Sequence, residues 1–253
     1  MTNIILNGCN GKMGKVITRI AESDPDCKII AGIDICNYCE NDYPVYTSAE
    51  ECTEKADVIV DFSHPSAFSD VLELAIRTKT PLIAATTGLS KEQHGELAAA
   101  AEKIPVFFSA NMSIGINLLT ELSKKAAALL DGSFDIEILE KHHNQKIDAP
   151  SGTALAIADA ISDVLQTAPE YVYDRHSVRR KRSPHEIGIH SVRGGTIVGE
   201  HEVIFAGVDE VIELKHTASS KEVFAVGAIR AAKFMTGKPK GMYSMSDIIA
   251  DLT

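Results

Sequence analysis

Two imidazoles and an ammonium, His142, His143 and Lys146, lead into Pro150-Ser151-Gly152-Thr153. These residue types can pass a proton at neutral pH and hold anionic groups. The stretch Phe134 to Leu139 alternates apolar and acidic residues as a half-buried strand does, so the histidines are expected where that strand ends. Ala154 to Ile161 is a helix-forming run. Ser151 or Thr153 can cap it, which is expected to leave the Gly152 and Thr153 amides for a carboxylate or phosphate at the positive end of the helix dipole. A lone histidine is more often structural, and Pro-Ser-Gly-Thr can be a plain turn and cap. The convergence of imidazole, ammonium and helix end in one segment favours a site for an anionic substrate. A zinc site is disfavoured, because adjacent residues of an extended chain point to opposite faces and no second His/Cys set completes a tetrahedral sphere.

A second chemical motif lies at the start. Asn3 to Asn7 reads as an apolar strand, Gly8-Cys9-Asn10-Gly11-Lys12-Met13-Gly14 as a glycine loop, and Lys15 to Ala21 as a helix. Strand, glycine loop and helix in that order cradle a pyrophosphate on backbone amides. Cys27 to Ile33 reads as a second strand ending at Asp34, whose carboxylate can accept from both ribose hydroxyls and would repel a 2′-phosphate. NADH is therefore expected to serve at least as well as NADPH, with Lys12 partly offsetting the repulsion.

The elements that position these groups follow from the same patterns. Strands near 56–62, 81–87 and 105–109 alternate with helices near 66–78 and 91–103. Continuous apolar strands separated by helices imply a parallel sheet covered on both faces. Ligands collect beyond the carboxyl ends of such strands, where Ser63-His64-Pro65, Thr86-Thr87-Gly88 and Ala110-Asn111-Met112-Ser113 lie. After a helix near 115–130 the texture changes to strand 134–140, helix 153–166, and strands 187–192, 196–206 and 210–218, an α+β arrangement. A helix over 221–236 returns to the first pattern. The predicted organisation is a Rossmann-like dinucleotide-binding domain, 1–113 plus 224–253, with an inserted α+β substrate-binding and oligomerisation domain, 114–223. Hinges near 111–116 and 219–224 would let such a domain close over a substrate.

The 253 residues carry a formal net charge of −10, which disfavours nucleic acid as a partner. No run approaches a membrane span and no basic leader opens the chain, so a cytoplasmic protein with no membrane partner is expected. All five cysteines fall between Cys9 and Cys52, no framework for disulfides, and a redox or metal role for Cys36 and Cys39 is disfavoured. The basic cluster Arg175, Arg179, Arg180, Lys181 and Arg182 reads as a solvated loop.

The motifs taken together resemble those of the 4-hydroxy-tetrahydrodipicolinate reductase (dihydrodipicolinate reductase) family, nearly end to end. The carriers are Gly8-x-x-Gly11-x-Met13-Gly14, Asp61-Phe62-Ser63-His64-Pro65, Thr86-Thr87-Gly88, Ala110 to Asn117, His142 to Thr153, and Arg193 to His201. The resemblance implies NAD(P)H-dependent reduction of a cyclic dicarboxylate in the diaminopimelate route to lysine, and a homotetramer. It implies His142 as general acid/base and Lys146 as a second proton donor. His143, Lys146, Gly152 and Thr153 would surround the substrate carboxylates, with residues 8–13, Asp34, Ser63, 85–87 and 110–113 around the dinucleotide. Two departures, His64 where many members have arginine and Ala85 leading the Thr-Thr-Gly loop, bear on cofactor affinity. A semialdehyde-type dehydrogenase would need a cysteine nucleophile in the second half, and none follows Cys52. A dinucleotide-binding sensor would not need the His142 segment.

Overall fold

Runs of apolar residues with no polar alternation form strands buried on both faces, and the first of these is β1, Thr2–Asn7. The computed structural model describes residues 1–37 and 41–251. Cys39, half of the Cys36/Cys39 pair, lies outside the described residues. In chain order β1 is followed by α1 (Lys12–Glu22), β2 (Cys27–Ile33), β3 (Val45–Tyr46), β4 (Val58–Asp61), α2 (Phe68–Thr78), β5 (Leu82–Ala84), α3 (Lys91–Ala101) and β6 (Pro105–Phe108). Then come α4 (Ile114–Leu130), β7 (Asp135–His142), α5 (Gly152–Ser162), β8 (Glu170–Val172), β9 (Glu186–Arg193), β10 (Gly199–Ala206) and β11 (Val211–Ala218). The chain closes with α6 (Glu222–Met235), β12 (Gly241–Tyr243) and α7 (Met245–Ala250).

These elements form two units, Met1–Ile114 with the segment from Glu222 onward, and Gly115–Lys221. The first holds a seven-stranded sheet in the order β12-β6-β5-β4-β1-β2-β3. Every pair in it is parallel. One face packs Ile4, Leu6, Val58 and Val60 against Ile17 and Ala21 of α1 and Ala228, Ile229 and Ala232 of α6. The other packs Ile5, Ile59, Leu82 and Val106 against Phe68, Val71 and Leu72 of α2 and Leu97 of α3. Helices on both faces of a parallel sheet make this a Rossmann-like, doubly wound unit.

The second unit is a five-stranded mixed sheet in the order β11-β10-β7-β9-β8. Here β7 runs antiparallel to β10 and parallel to β9. Its covered face packs Ile136, Ile138, Ile187, Val203 and Phe205 against Ile116 and Leu119 of α4 and Ile157 and Ile161 of α5.

Four elements escape sequence reading: β3, β8, β12 and α7. The three strands are two or three residues long and each sits at a sheet edge, too short to show alternation and too peripheral to be apolar throughout. The helix expected over 153–166 stops at Ser162, and the strand expected from 196 begins at Gly199. The basic cluster is not simply solvated. Arg182 donates to Asp135 at 2.7 Å and Glu137 at 3.1 Å, and Arg175 to Glu137 at 2.5 Å and Glu186 at 2.8 Å. The acids of β7 that alternate outward from the core recruit these arginines.

Candidate active site

Strand parity builds the site of the second unit. Along β7 the residues 136, 138, 140 and 142 all face the covered side, so the two apolar positions are continued by Glu140 and His142. A carboxylate at 0 % side-chain exposure must be fully partnered, and Glu140 is. Its Oε2 accepts from His142 Nδ1 at 2.6 Å and from an Arg193 amine at 2.8 Å. Its Oε1 accepts from the other Arg193 amine at 2.7 Å and from the Ser151 amide at 3.1 Å. Burial pushes the Glu140 carboxyl up, but Arg193, Ser191 and His142 outweigh it and hold the group down at about 2. Sheet register delivers the partners: Arg193 lies beside His142 on β9, and His201 opposite Glu140 on β10.

Burial is the largest influence on His142 and pushes its pKa below the usual histidine value, against the upward pull of Glu140. The His201 ring stands edge-on to it with centroids 5.2 Å apart. His201 is itself pushed down to about 4 by burial and by the neighbouring His142, so it is neutral at pH 7. Its Nε2 lies 3.1 Å from the Ser151 hydroxyl, which caps α5 by accepting from the Ala154 amide at 3.1 Å. Arg193 also donates to the Asp148 carbonyl at 2.7 Å. Lys146 Nζ sits 2.8 Å from an Asp148 carboxylate oxygen, and His143 Nδ1 is buried with no hydrogen-bond partner among the described residues.

The structure thus gathers His142, Arg193 and the Ser151 end of the turn around one buried carboxylate, with Lys146 beside them on Asp148. One of the two α5 amides expected to stand open is engaged: the Gly152 amide donates to the Asp148 carboxylate. Asp148 is only two residues before the capping turn, so its carboxylate lies within reach of that positive helix end. Sequence reasoning gave no role to Glu140, Arg193 or His201. The parity of β7 pointed to Glu140; Arg193 and His201 bound a segment that carries the family resemblance, which by itself gave them no role.

The first unit gathers the other set at the carboxyl ends of its strands. Gly8, with φ 79°, turns the chain where a Cβ would stand 2.6 Å from the Phe62 carbonyl. At Gly14 a Cβ would be 2.1 Å from the Gly8 carbonyl, so helix and loop approach to glycine distance. The α1 N-terminus has Gly11 at its cap and no side-chain cap, which suits a pyrophosphate. Gly8, Gly11, Asp34 and Ser63 line one cleft of 400 Å³ together with Ile35 and His64. The Asp34 carboxylate accepts from the Asn10 amide at 2.9 Å and the Cys36 amide at 3.0 Å, fixing it beside the glycine loop.

Beneath that cleft Asp61 is wholly buried and accepts from Asn7 at 2.8 Å, Ser63 Oγ at 2.6 Å and Thr86 Oγ1 at 2.7 Å. It ties the ends of β1, β4 and β5 into one edge. Lys12 and Thr87 are exposed, as is Ala110, whereas Cys9, Ala85, Met112 and Ser113 are buried, so their backbone rather than their side chains can meet a ligand. Met13 and Asn111 are half-buried, and Asn111 Oδ1 holds the Ser113 amide at 2.9 Å.

A glycine loop on a doubly wound sheet, joined in one chain to a buried acid–imidazole–ammonium cluster, defines an oxidoreductase of the dinucleotide-dependent class. The chain belongs to the dihydrodipicolinate reductase family: residues 2–112 match the family's N-terminal domain and 115–249 its C-terminal domain. It is 53% identical over 249 residues to the 4-hydroxy-tetrahydrodipicolinate reductase of Caldanaerobacter subterraneus subsp. tengcongensis, covering 98% of each chain. It is 50% identical to the enzyme of that name from Clostridium tetani, covering 97% and 96%. Among solved structures it is similar to dipicolinate-bound dihydrodipicolinate reductase from Paenisporosarcina sp. TG-14, with TM-score 0.82, 25% identity and 96% and 97% of the two chains covered. A gentamicin-biosynthesis enzyme solved with NAD shares the fold at 12% identity and TM-score 0.62. Among the described residues no helix is long and apolar enough to cross a membrane.

Proposed function

We propose that this chain reduces 4-hydroxy-tetrahydrodipicolinate, with loss of water, to tetrahydrodipicolinate in the diaminopimelate route to lysine. The observation that carries this reading is His142 and the α5 turn held on one buried carboxylate, with Lys146 paired to Asp148 beside them, in a chain that matches the family through both of its domains. The first unit serves as the dinucleotide-binding domain and the second as the substrate-binding and oligomerisation domain.

A bound nicotinamide cofactor supplies the hydride. Its addition leaves an enamine-like carbanion on the substrate, which the His142 imidazolium protonates, with Lys146 as second donor. Lys146, His143 and the Gly152 and Thr153 amides hold the two substrate carboxylates; a substrate carboxylate displaces that of Asp148 from Lys146 and the Gly152 amide. The Nδ1 of His143, unpartnered among the described residues, supports its role in this set. Gly8 to Met13, Ser63, residues 85–87 and 110–113 hold the dinucleotide, with Asp34 on the ribose. A 2′-phosphate would meet the Asp34 carboxylate, so NADH is used at least as well as NADPH.

The second unit's sheet leaves β11 open, with Val211 and Ile212 exposed, and a homotetramer formed through this unit is the expected assembly. The enzyme acts in the cytoplasm.

Coupling the purified protein to the synthase that makes the unstable substrate, and following nicotinamide oxidation, tests the activity. Turnover is expected with wild type and lost in His142→Gln and Lys146→Ala while nucleotide affinity is kept; unchanged turnover in both variants would remove the assigned roles. Equal or better efficiency with NADPH would overturn the cofactor preference, and light scattering off a size-exclusion column checks the tetramer.

A further inference from the structure

We propose that Glu140, neutralised by Arg193, is the positioning residue that makes Nε2 of His142 the nitrogen that gains and gives the proton, and that it locks the α5 turn to the same carboxylate. This deepens the reading of His142 as general acid and rests on it. The two Glu140 oxygens accept from His142 Nδ1, both Arg193 amines and the Ser151 amide, with Ser191 a further donor. An ionised carboxylate only accepts, so Nδ1 of His142 carries hydrogen in both protonation states. The exchangeable proton is left to Nε2. That nitrogen lies beside Gly199, where an added Cβ would stand 3.2 Å away and crowd it.

Arg193 decides how basic the imidazole becomes. A buried glutamate alone would hold His142 as a stable imidazolium reluctant to release its proton. The guanidinium shares the carboxylate's charge, and Lys146 also disfavours the imidazolium. His142 faces Glu140 on its own strand, Arg193 on β9, His201 on β10 and Lys146 in the following loop, the last paired with Asp148. Of these only Glu140 favours the charged imidazole. The Arg193 contact to the Asp148 carbonyl and the Glu140 contact to the Ser151 amide make the carboxylate also the anchor of the substrate-holding turn.

The arrangement makes paired predictions of opposite sign. Glu140→Gln presents an amide NH₂ among these donors, so the neutral imidazole shifts towards the Nε2–H tautomer and the pH above which kcat/KM falls moves lower. Arg193→Met removes the guanidinium and leaves His142 as the carboxylate's one ionisable partner among those named here, and that limb moves higher. In Glu140→Gln kcat is expected to drop about 100-fold. A merely structural Glu140 would cost activity in both variants with no displacement of the limb, or with displacement in the same direction, and either result would overturn the proposal. ¹⁵N spectroscopy of histidine-labelled wild type, with the His142 signal assigned against His142→Gln, needs neither variant to fold. Neutral His142 is expected as the Nδ1–H tautomer; an Nε2–H tautomer would overturn the proposal whatever the turnover. Absence of turnover in wild type with the Nδ1–H tautomer intact would instead count against the reductase reading alone.

Discussion

Asp61 in the first unit and Glu140 in the second are both wholly buried carboxylates near the end of a strand, and the two are held in opposite ways. Asp61 is met by an amide and hydroxyls, all neutral, and burial pushes its pKa up despite them. Glu140 is met by a guanidinium and an imidazole, and is held down at about 2. Burial alone therefore does not say what a buried acid is for; its partners do. Neutral donors make Asp61 a strut for the loops after β1, β4 and β5. Cationic donors give Glu140 a charge that persists at every working pH, which is what an imidazole beside it can use.

Substitutions at the two sites should part company most sharply in turnover. His142→Gln is expected to lower kcat by about 10² to 10⁴-fold with nucleotide affinity retained, measured by coupled assay and nucleotide titration. Asp61→Asn is expected to do the reverse, weakening nucleotide binding while leaving the pH profile of kcat/KM in place. A displaced profile in Asp61→Asn would erase the distinction between strut and tuner.

Stability against pH separates the units next. His201 has a folded pKa of about 4 against its ordinary 6.5. The unfolded chain then binds the extra proton, so the stability His201 supports is complete above pH 6.5 and is lost as pH falls towards 4, by about 3 kcal/mol. Glu140 extends the loss in the same direction from 4.5 towards 2. Urea melts across this range should show the decline, and His201→Asn should flatten its upper part.

Asp61→Asn should cost about 1–3 kcal/mol by leaving buried hydroxyl and amide donors facing an NH₂ group. Smaller again is the pH effect on turnover: kcat/KM is expected to fall as pH rises through the His142 pKa, which lies below 6.5. The limb in kcat should lie higher, because a bound dicarboxylate favours the imidazolium. Asp148→Asn is the smallest: its carboxylate is 56% exposed, and surface pairs of that kind contribute only about 0–1 kcal/mol. A larger loss on melting would mean that the Lys146–Asp148 pair shapes the turn before any substrate arrives.

Much of this was legible along the chain. Periodicity located β1, β2, β7 and the long helices, because each carries enough residues to show its repeat. Glycine spacing located the nucleotide loop, and the segment from His142 to Thr153 stood out because its chemistry is contiguous. The basic loop is largely exposed, as its sequence suggests, but the ion pairs of Arg175 and Arg182 were not legible, since a charge run looks the same in sequence whether or not carboxylates stand opposite it.

What local sequence determined, then, is parity and composition: Glu140 and His142 fall two apart on a strand, so they share a face wherever that strand is placed. What only tertiary structure decided is who meets them there. Arg193 and His201 arrive by the register of β9 and β10 against β7, across connections of dozens of residues. Strand pairing is set by backbone hydrogen bonds and the burial of whole faces, and neither leaves a mark at the residues that become neighbours.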